Sequence, residues 1–210
     1  MIKLVIFDYD GVIVDSFITV YDIYKTIGSK LNVKIPSTIE EFRKTYGDNF
    51  SECYKNLGID KDNQTKAMKI FGEELENKNP EIFCGIKDVL SWANEHYEVI
   101  LISSNYTKEV LQKLENNNIH KYFSFIDGNC AINKSEKFKF ILEKYKLKSN
   151  EVIVIGDRLS DYTSAIEAEI EHIIIVEYGW GYDRNKCPNN KFVINEAIQL
   201  IDAIKEIDVS

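Results

Sequence analysis

No stretch of this 210-residue chain approaches the roughly 18 consecutive apolar residues that a membrane span needs. The apolar run Ile2–Phe7 stops at Asp8, too short for a signal peptide, and no small-residue cleavage site follows. Cysteine is scarce: Cys53, Cys84, Cys130 and Cys187 lie far apart and form no Cys-x-x-Cys pair, which argues against a disulfide framework or a zinc site. Thiols with no partners and no export signal give a cytoplasmic expectation. Ten glycines and three prolines are too few for a collagenous or low-complexity chain. Cations are outnumbered as well, 26 Lys and Arg against 34 Asp and Glu, for a net charge of −8. Such a field offers nothing broad to nucleic acid or anionic lipid. An anionic substrate would need a local positive site or a metal ion.

What is present suits a globular protein: 44% apolar residues, 29% charged, and twelve tyrosines, eleven phenylalanines and two tryptophans for a core. The length predicts one large domain, or one domain with a sizeable insertion. Five runs rich in β-branched residues (3–7, 98–102, 122–126, 152–155 and 173–176) are near-continuously apolar rather than strictly alternating, as strands covered on both faces are. Helical stripes separate the later ones, Ile86-Val89-Leu90-Ala93 and Phe138-Ile141-Leu142-Tyr145 among them. The pattern predicts an α/β fold, a Rossmann-like, mostly parallel five-stranded sheet with helices on both faces.

The first gap breaks that rhythm. Phe17, Val20, Tyr21, Tyr24 and Ile27 share one helical face; Phe50, Cys53, Tyr54 and Leu57 make another stripe, and Ile70, Phe71 and Leu75 a third. Ser37-x-x-Glu40 and Thr38-x-x-Glu41 resemble capping boxes just after Pro36. With no strand pattern in 16–82, the economical division is an α/β core of residues 1–15 and 83–210 and an inserted helical domain of residues 16–82.

Four places could carry chemistry. The first strand ends in Asp8 and Asp10, followed by Gly11. Two acids at the carboxyl end of one strand face the crevice where ligands bind in open sheets. They repel each other and call for a cation, with Mg²⁺ the best match to hard oxygen ligands. The plainer explanation is an Asp-Gly turn. Gly156-Asp157-Arg158-Leu159-Ser160-Asp161 supplies two more acids after another strand, or else a helix N-cap. Ser103, Ser104 and Asn105 end the second strand, where hydroxyls and backbone N–H groups could hold a phosphate or simply cap a helix. Lys134 opens a helical stripe, and a lone lysine usually faces solvent. Jointly they place carboxylates, hydroxyls and an ammonium at one sheet edge, a combination suited to phosphoryl transfer.

These residues carry a resemblance. Asp8-Tyr9-Asp10-Gly11-Val12-Ile13-Val14-Asp15-Ser16 is similar to the opening pattern D-x-D-G-x-x-x-D-S of the haloacid dehalogenase-like hydrolases, in the branch that resembles phosphoglycolate phosphatases. Ser103, Ser104 and Asn105 match the second motif, Lys134 with Ser135-Glu136-Lys137-Phe138 one form of the third, and Gly156-Asp157-x-x-x-Asp161 the fourth. Phe83-Cys84-Gly85-Ile86 is similar to the entry to the core, with cysteine in place of proline, and Trp180-Gly181 after the last strand also matches. Residues 16–82 resemble the C1 cap.

The resemblance implies a Mg²⁺-dependent phosphatase acting on a small phosphorylated metabolite through an aspartyl phosphate. It implies Asp8 as nucleophile and Asp10 as proton donor and then base. It implies Asp8, the main-chain carbonyl of Asp10, Asp157 and Asp161 around the metal. Lys134 and one serine, Ser103 or Ser104, would hold the phosphoryl group. Asn105 and, in the cap, Arg43 are candidate substrate-binding residues. Asp10 argues against the dehalogenases, which lack a second acid. A phosphomutase fits less well: no histidine follows the first motif, where Phe17, Ile18 and Thr19 stand, and Asp48-Asn49-Phe50 after Gly47 offers no arginine. A non-catalytic phosphate-binding regulator, either a receiver module or a catalytically quiet family member, is the other alternative. Receivers phosphorylate an aspartate near mid-domain and lack a helical insertion.

Overall fold

The computed structural model describes residues 1–47, 50–76, 78–129, 132–182 and 191–209. They form two compact units, Met1–Asp15 with Glu81–Ser210, and Ser16–Pro80.

The larger unit is built on six parallel strands: β1 Leu4–Phe7, β2 Glu98–Ile102, β3 Phe125–Asp127, β4 Val152–Gly156, β5 His172–Val176 and β6 Phe192–Ile194, in the order β3-β2-β1-β4-β5-β6. All four residues of β1 and all five of β4 are buried, which is why their apolar runs do not alternate. The faces of the sheet bury different sets. Val5 and Phe7 pack with Val89, Leu90, Val110, Leu114, Leu200 and Ile204, whereas Leu4 and Ile6 pack with Phe138, Ile141 and Ala165. Alternation along β1 thus sends successive side chains to opposite helix layers.

Two corrections to the five-strand expectation follow. The third strand begins at Phe125, because His120–Tyr122 wind into a short 3₁₀ turn after Asn118 takes a left-handed conformation (φ 56°). A sixth strand is present at Phe192–Ile194, paired with β5. Three residues at a sheet edge are too few to show a period.

Five helices belong to the smaller unit or lead back from it: α1 Phe17–Leu31, α2 Ile39–Tyr46, α3 Phe50–Asn56, α4 Lys61–Glu76 and α5 Ile86–His96, of which α5 lies in the sheet-bearing unit. Within the smaller unit Phe17, Val20, Tyr21, Tyr24 and Ile27 of α1 are buried. Phe42 of α2 lies 5.1 Å from the ring centroids of both Tyr21 and Tyr24. Thr38 caps α2, its hydroxyl accepting from the Glu41 amide at 3.2 Å. On α4 only Ala67 is fully buried; Ile70, Phe71 and Leu75 are half-covered. The two segments that join the units pair with each other: Val14 and Ile82 form an antiparallel bridge, and Asp15 N–H donates to the Glu81 carbonyl at 2.8 Å.

The remaining helices of the sheet-bearing unit are α6 Thr107–Asn116, α7 Lys134–Tyr145, α8 Leu159–Glu167 and α9 Leu200–Asp208. Among the described residues Cys53 is buried and Cys84 exposed, both with free thiols; Cys130 and Cys187 lie outside them, as do Asp48 and Asn49. No helix among the described residues is long and apolar enough to cross a membrane.

Candidate functional site

The strand order reverses direction between β1 and β4, and ligands in open parallel sheets bind at such a switch, beyond the carboxyl ends of the strands. Asp8 follows β1 and Asp157 follows β4 in matched register, Phe7 pairing with Ile155 and the Asp8 amide donating to the Ile155 carbonyl at 3.0 Å. Asp161 is one turn into α8. One carboxylate oxygen each from Asp8, Asp157 and Asp161 lies within 4.8 Å of the others.

Three carboxylates this close need compensation, and Lys134 supplies part of it from the first position of α7. Its Nζ is 2.8 Å from Asp8 Oδ2 and 2.5 Å from Asp161 Oδ1, with the lysine 12% and Asp8 11% exposed. Asp161 takes two further hydrogen bonds, from the amides of Asp157 at 3.2 Å and Arg158 at 3.1 Å, so the same side chain caps α8 and lines the site. Asp157 Oδ2 accepts from the Trp180 amide at 2.6 Å, while its Oδ1 is buried with no hydrogen-bond partner among the described residues. Burial is the largest influence on the Asp8 carboxyl, which stands at about 7; Lys134 opposes the rise, and Asp161 and Asp10 add to it. Asp157 is pushed well above the carboxylate range by burial and then by the charges of Asp161 and Asp8. Burial alone would lower the Lys134 ammonium, but Asp161 and Asp8 hold it above its ordinary value.

This donor set fits a hard divalent cation. It is all oxygen, it carries more negative charge than one lysine offsets, and it includes a buried carboxylate oxygen that nothing among the described residues satisfies. Two glycines are required for it. A Cβ on Gly156 would come 2.3 Å from the Asp161 Cβ, and Gly11, at φ 78°, closes the turn that follows Asp10.

Asp10 stands apart from the three. Its Oδ2 accepts from the Asn105 side-chain amide at 2.5 Å. Ser103 is fully buried, and its hydroxyl accepts from the Asn105 amide at 3.1 Å; Ser104 is exposed. None of the three residues caps α6, whose N-cap is Tyr106. The sheet-bearing unit thus brings together Asp8, Asp10, Ser103, Asn105, Lys134, Asp157 and Asp161. Arg43 belongs to the other unit, on α2, its guanidinium 4.4 Å from the ring centroid of Phe17.

Two further residues bear on the site, both within stretches that match the family's pattern but neither among the candidate site residues. Trp180 contributes a backbone N–H, which leaves no trace in residue type. Lys137 is 2% exposed and donates to the Ser103 carbonyl at 2.7 Å. Its signal was available, a lysine beside the buried stripe of Phe138 and Ile141.

A model of the haloacid dehalogenase-like hydrolases matches residues 5–175. The chain is 23% identical over 229 residues to a phosphoglycolate phosphatase of Photobacterium profundum, covering 97% of this chain and 96% of that one. It is 23% identical over 199 residues to phosphoglycolate phosphatase 1 of Pseudomonas aeruginosa, covering 87% and 72%. Among solved structures, a haloacid dehalogenase-like family hydrolase from Streptococcus pneumoniae superposes with a TM-score of 0.85 at 21% identity, covering 97% of this chain and 98% of that one.

Proposed function

The chain belongs to the haloacid dehalogenase-like hydrolase family, and from that footing we propose that it is a Mg²⁺-dependent phosphatase that hydrolyses a small-metabolite phosphate monoester through a phosphorylated Asp8. The observation that carries this reading is the bridge of Lys134 between Asp8 and Asp161 beside the unsatisfied oxygen of Asp157. It combines an ionisable nucleophile, a fixed ammonium and a cation seat in one place.

Asp8, Asp157 and Asp161, with the main-chain carbonyl of Asp10, would hold Mg²⁺, which supplies charge neutralisation at the phosphoryl oxygens and lowers the cost of ionising Asp8. An Asp8 carboxylate oxygen attacks phosphorus in line with the ester oxygen; the P–O bond to the leaving group breaks as the bond to Asp8 forms. Lys134 opposes the protonation of Asp8 beforehand and faces the equatorial phosphoryl oxygens as their charge grows. Asp10, held by Asn105, passes its proton to the departing oxygen and then takes one from the water that attacks the acyl phosphate. Phosphate leaves, and Asp8 and Asp10 regain their starting forms. Ser103 suits the phosphoryl-binding role: its hydroxyl accepts from Asn105, so its own proton remains to be donated. The exposed Ser104 belongs to the same turn as a substrate contact. The names of the relatives favour a compact substrate with a second anionic group, and Arg43, in the helical unit that resembles the family's cap, is the candidate to read it.

The experiment is hydrolysis of p-nitrophenyl phosphate with Mg²⁺, followed by a panel of phosphorylated metabolites. Turnover that requires Mg²⁺ and Asp8 supports the reading. Absence of turnover on every ester, with the protein folded, rejects it in favour of a non-catalytic binding protein.

A further inference from the structure

Two lysines stand one turn apart on α7, and only the first meets a carboxylate of the acid cluster. Lys137 lies deeper, its side chain 1% exposed against 12% for that of Lys134. Burying an ammonium costs several kcal/mol unless it is paired and hydrogen-bonded, so a lysine serving only to fill the core would be a poor choice beside Phe138. Its Nζ donates to the Ser103 carbonyl at 2.7 Å and lies 3.8 Å from Asp127 Oδ1, at the end of β3. Ser103 N–H in turn donates to the Asp127 carbonyl at 2.8 Å. The ends of β2 and β3 are therefore tied through Ser103 from both sides. From there the contacts run on without a gap: the Ser103 hydroxyl accepts from Asn105 N–H at 3.1 Å, and the Asn105 side chain donates to Asp10 at 2.5 Å.

We propose that Lys137 is a positioning residue: through the Ser103 carbonyl it fixes the turn Ser103–Asn105 and, through Asn105, the direction of the Asp10 carboxyl. One face of α7 then serves both halves of the site, since residues three apart on a helix are neighbours. Lys134 acts on the nucleophile directly; Lys137 acts on the acid–base group through three successive hydrogen bonds. The inference rests on the reading of Asp10 as the proton donor to the leaving group. The competing explanation is charge balance alone, Lys137 neutralising Asp127.

The variants are Lys137→Met, Asp127→Asn and the two combined. The combination removes both charges and the donor to Ser103, while Asp127→Asn alone leaves that donor in place. Turnover is measured with Mg²⁺ on p-nitrophenyl phosphate, whose leaving group needs little protonation, and on an alkyl phosphate, whose leaving group needs nearly all of it. A misplacement of about 1 Å in a reacting group can cost on the order of a hundredfold. The combined variant is expected to regain the melting temperature lost in Lys137→Met, yet to lose about tenfold or more in kcat on the alkyl ester. Its loss on p-nitrophenyl phosphate should be within about threefold, and KM should change little. Asp127→Asn should keep the ratio of the two esters. Wild-type kcat on both esters in the combined variant, an equal loss on both, or a changed ratio in Asp127→Asn would each overturn the proposal.

A second measurement does not depend on turnover. The side-chain amide protons of Asn105, assigned by NMR, should shift in Asp10→Asn and shift likewise in Lys137→Met, whether or not the combined variant folds. An Asn105 amide unaffected by Lys137→Met would sink the inference even if the enzyme is active. Wild-type protein that hydrolyses neither ester would reject the phosphatase reading, while the amide spectrum would still decide the role of Lys137.

Discussion

A Cβ placed on Gly11 would lie 2.0 Å from Asp157 Oδ2, so the turn after β1 and the acid after β4 touch through a position that admits no side chain. Gly11→Ala must displace Asp157 or the turn, and it also places alanine at φ 78°. The backbone strain alone is worth about 1–3 kcal/mol. A lowered melting temperature and loss of Mg²⁺-dependent turnover are expected together. A fully active Gly11→Ala protein would show that Asp157 is not needed where it stands.

The two acids of the first motif separate by what each can still do when its partner is gone. Asp8→Asn should form no phosphoenzyme with any substrate. Asp10→Asn keeps the nucleophile and should be phosphorylated readily by p-nitrophenyl phosphate but poorly by an alkyl phosphate. It should then release phosphate slowly, since loss of one acid–base group costs roughly 10²- to 10⁴-fold. Acid-quenched mass spectrometry after brief exposure reads the outcome. An adduct in Asp8→Asn, or none in either variant, contradicts the assignment.

Removal of the cation should abolish turnover. EDTA is expected to silence the protein, Mg²⁺ to restore it, and Ca²⁺ to do so poorly because it prefers more ligands in looser geometry. Undiminished hydrolysis in metal-free buffer would contradict the charge argument at the site.

The same carboxyls predict how stability depends on pH. Asp8 stands at about 7 in the folded protein, raised by burial and by its acidic neighbours against the pull of Lys134, and Asp157 is raised as well. Between the ordinary carboxylate range and pH 7 the folded chain holds protons that the unfolded chain has released. Its stability should therefore fall as pH rises through that window. The melting temperature in EDTA should decline from pH 5 to pH 7.5 more steeply than in Asp8→Asn, and Mg²⁺ should raise it more at pH 7.5 than at pH 5. Parallel slopes in the two proteins would be the contrary result.

Arg43→Ala tests the helical unit. If its guanidinium reads a second anionic group, relative activity across a substrate panel should change by about tenfold, with little change on p-nitrophenyl phosphate. A uniform loss would make Arg43 a packing residue over Phe17.

The central strands are plain in the sequence because burial on both faces forces unbroken β-branched runs, as in Val152–Ile155. β6 is not, because three residues at an edge carry too little pattern. The acids and Lys134 could be listed from their positions after strands, but their grouping is a product of strand order. Asp8 and Asp157 are neighbours only because β1 pairs with β4 across more than a hundred residues. The choice between Ser103 and Ser104 turns on which one the backbone buries, and Trp180 works through an amide that every residue has.

The helical unit lies within the loop that joins β1 to β2, closed at its base by the pairing of Val14 with Ile82. Closing a flexible loop of roughly 90 residues rather than roughly 25 costs only about 1 kcal/mol more, since the entropy grows with the logarithm of length. The sheet is therefore nearly indifferent to what the loop contains. Residues 16–80 can be lengthened, shortened or exchanged for a different helical insert while β1 and β2 keep their register, and the acids and Lys134 keep their places. If the helical unit carries the selectivity proposed for Arg43, that selectivity can be rewritten in one stretch of chain without reopening the folding problem of the rest.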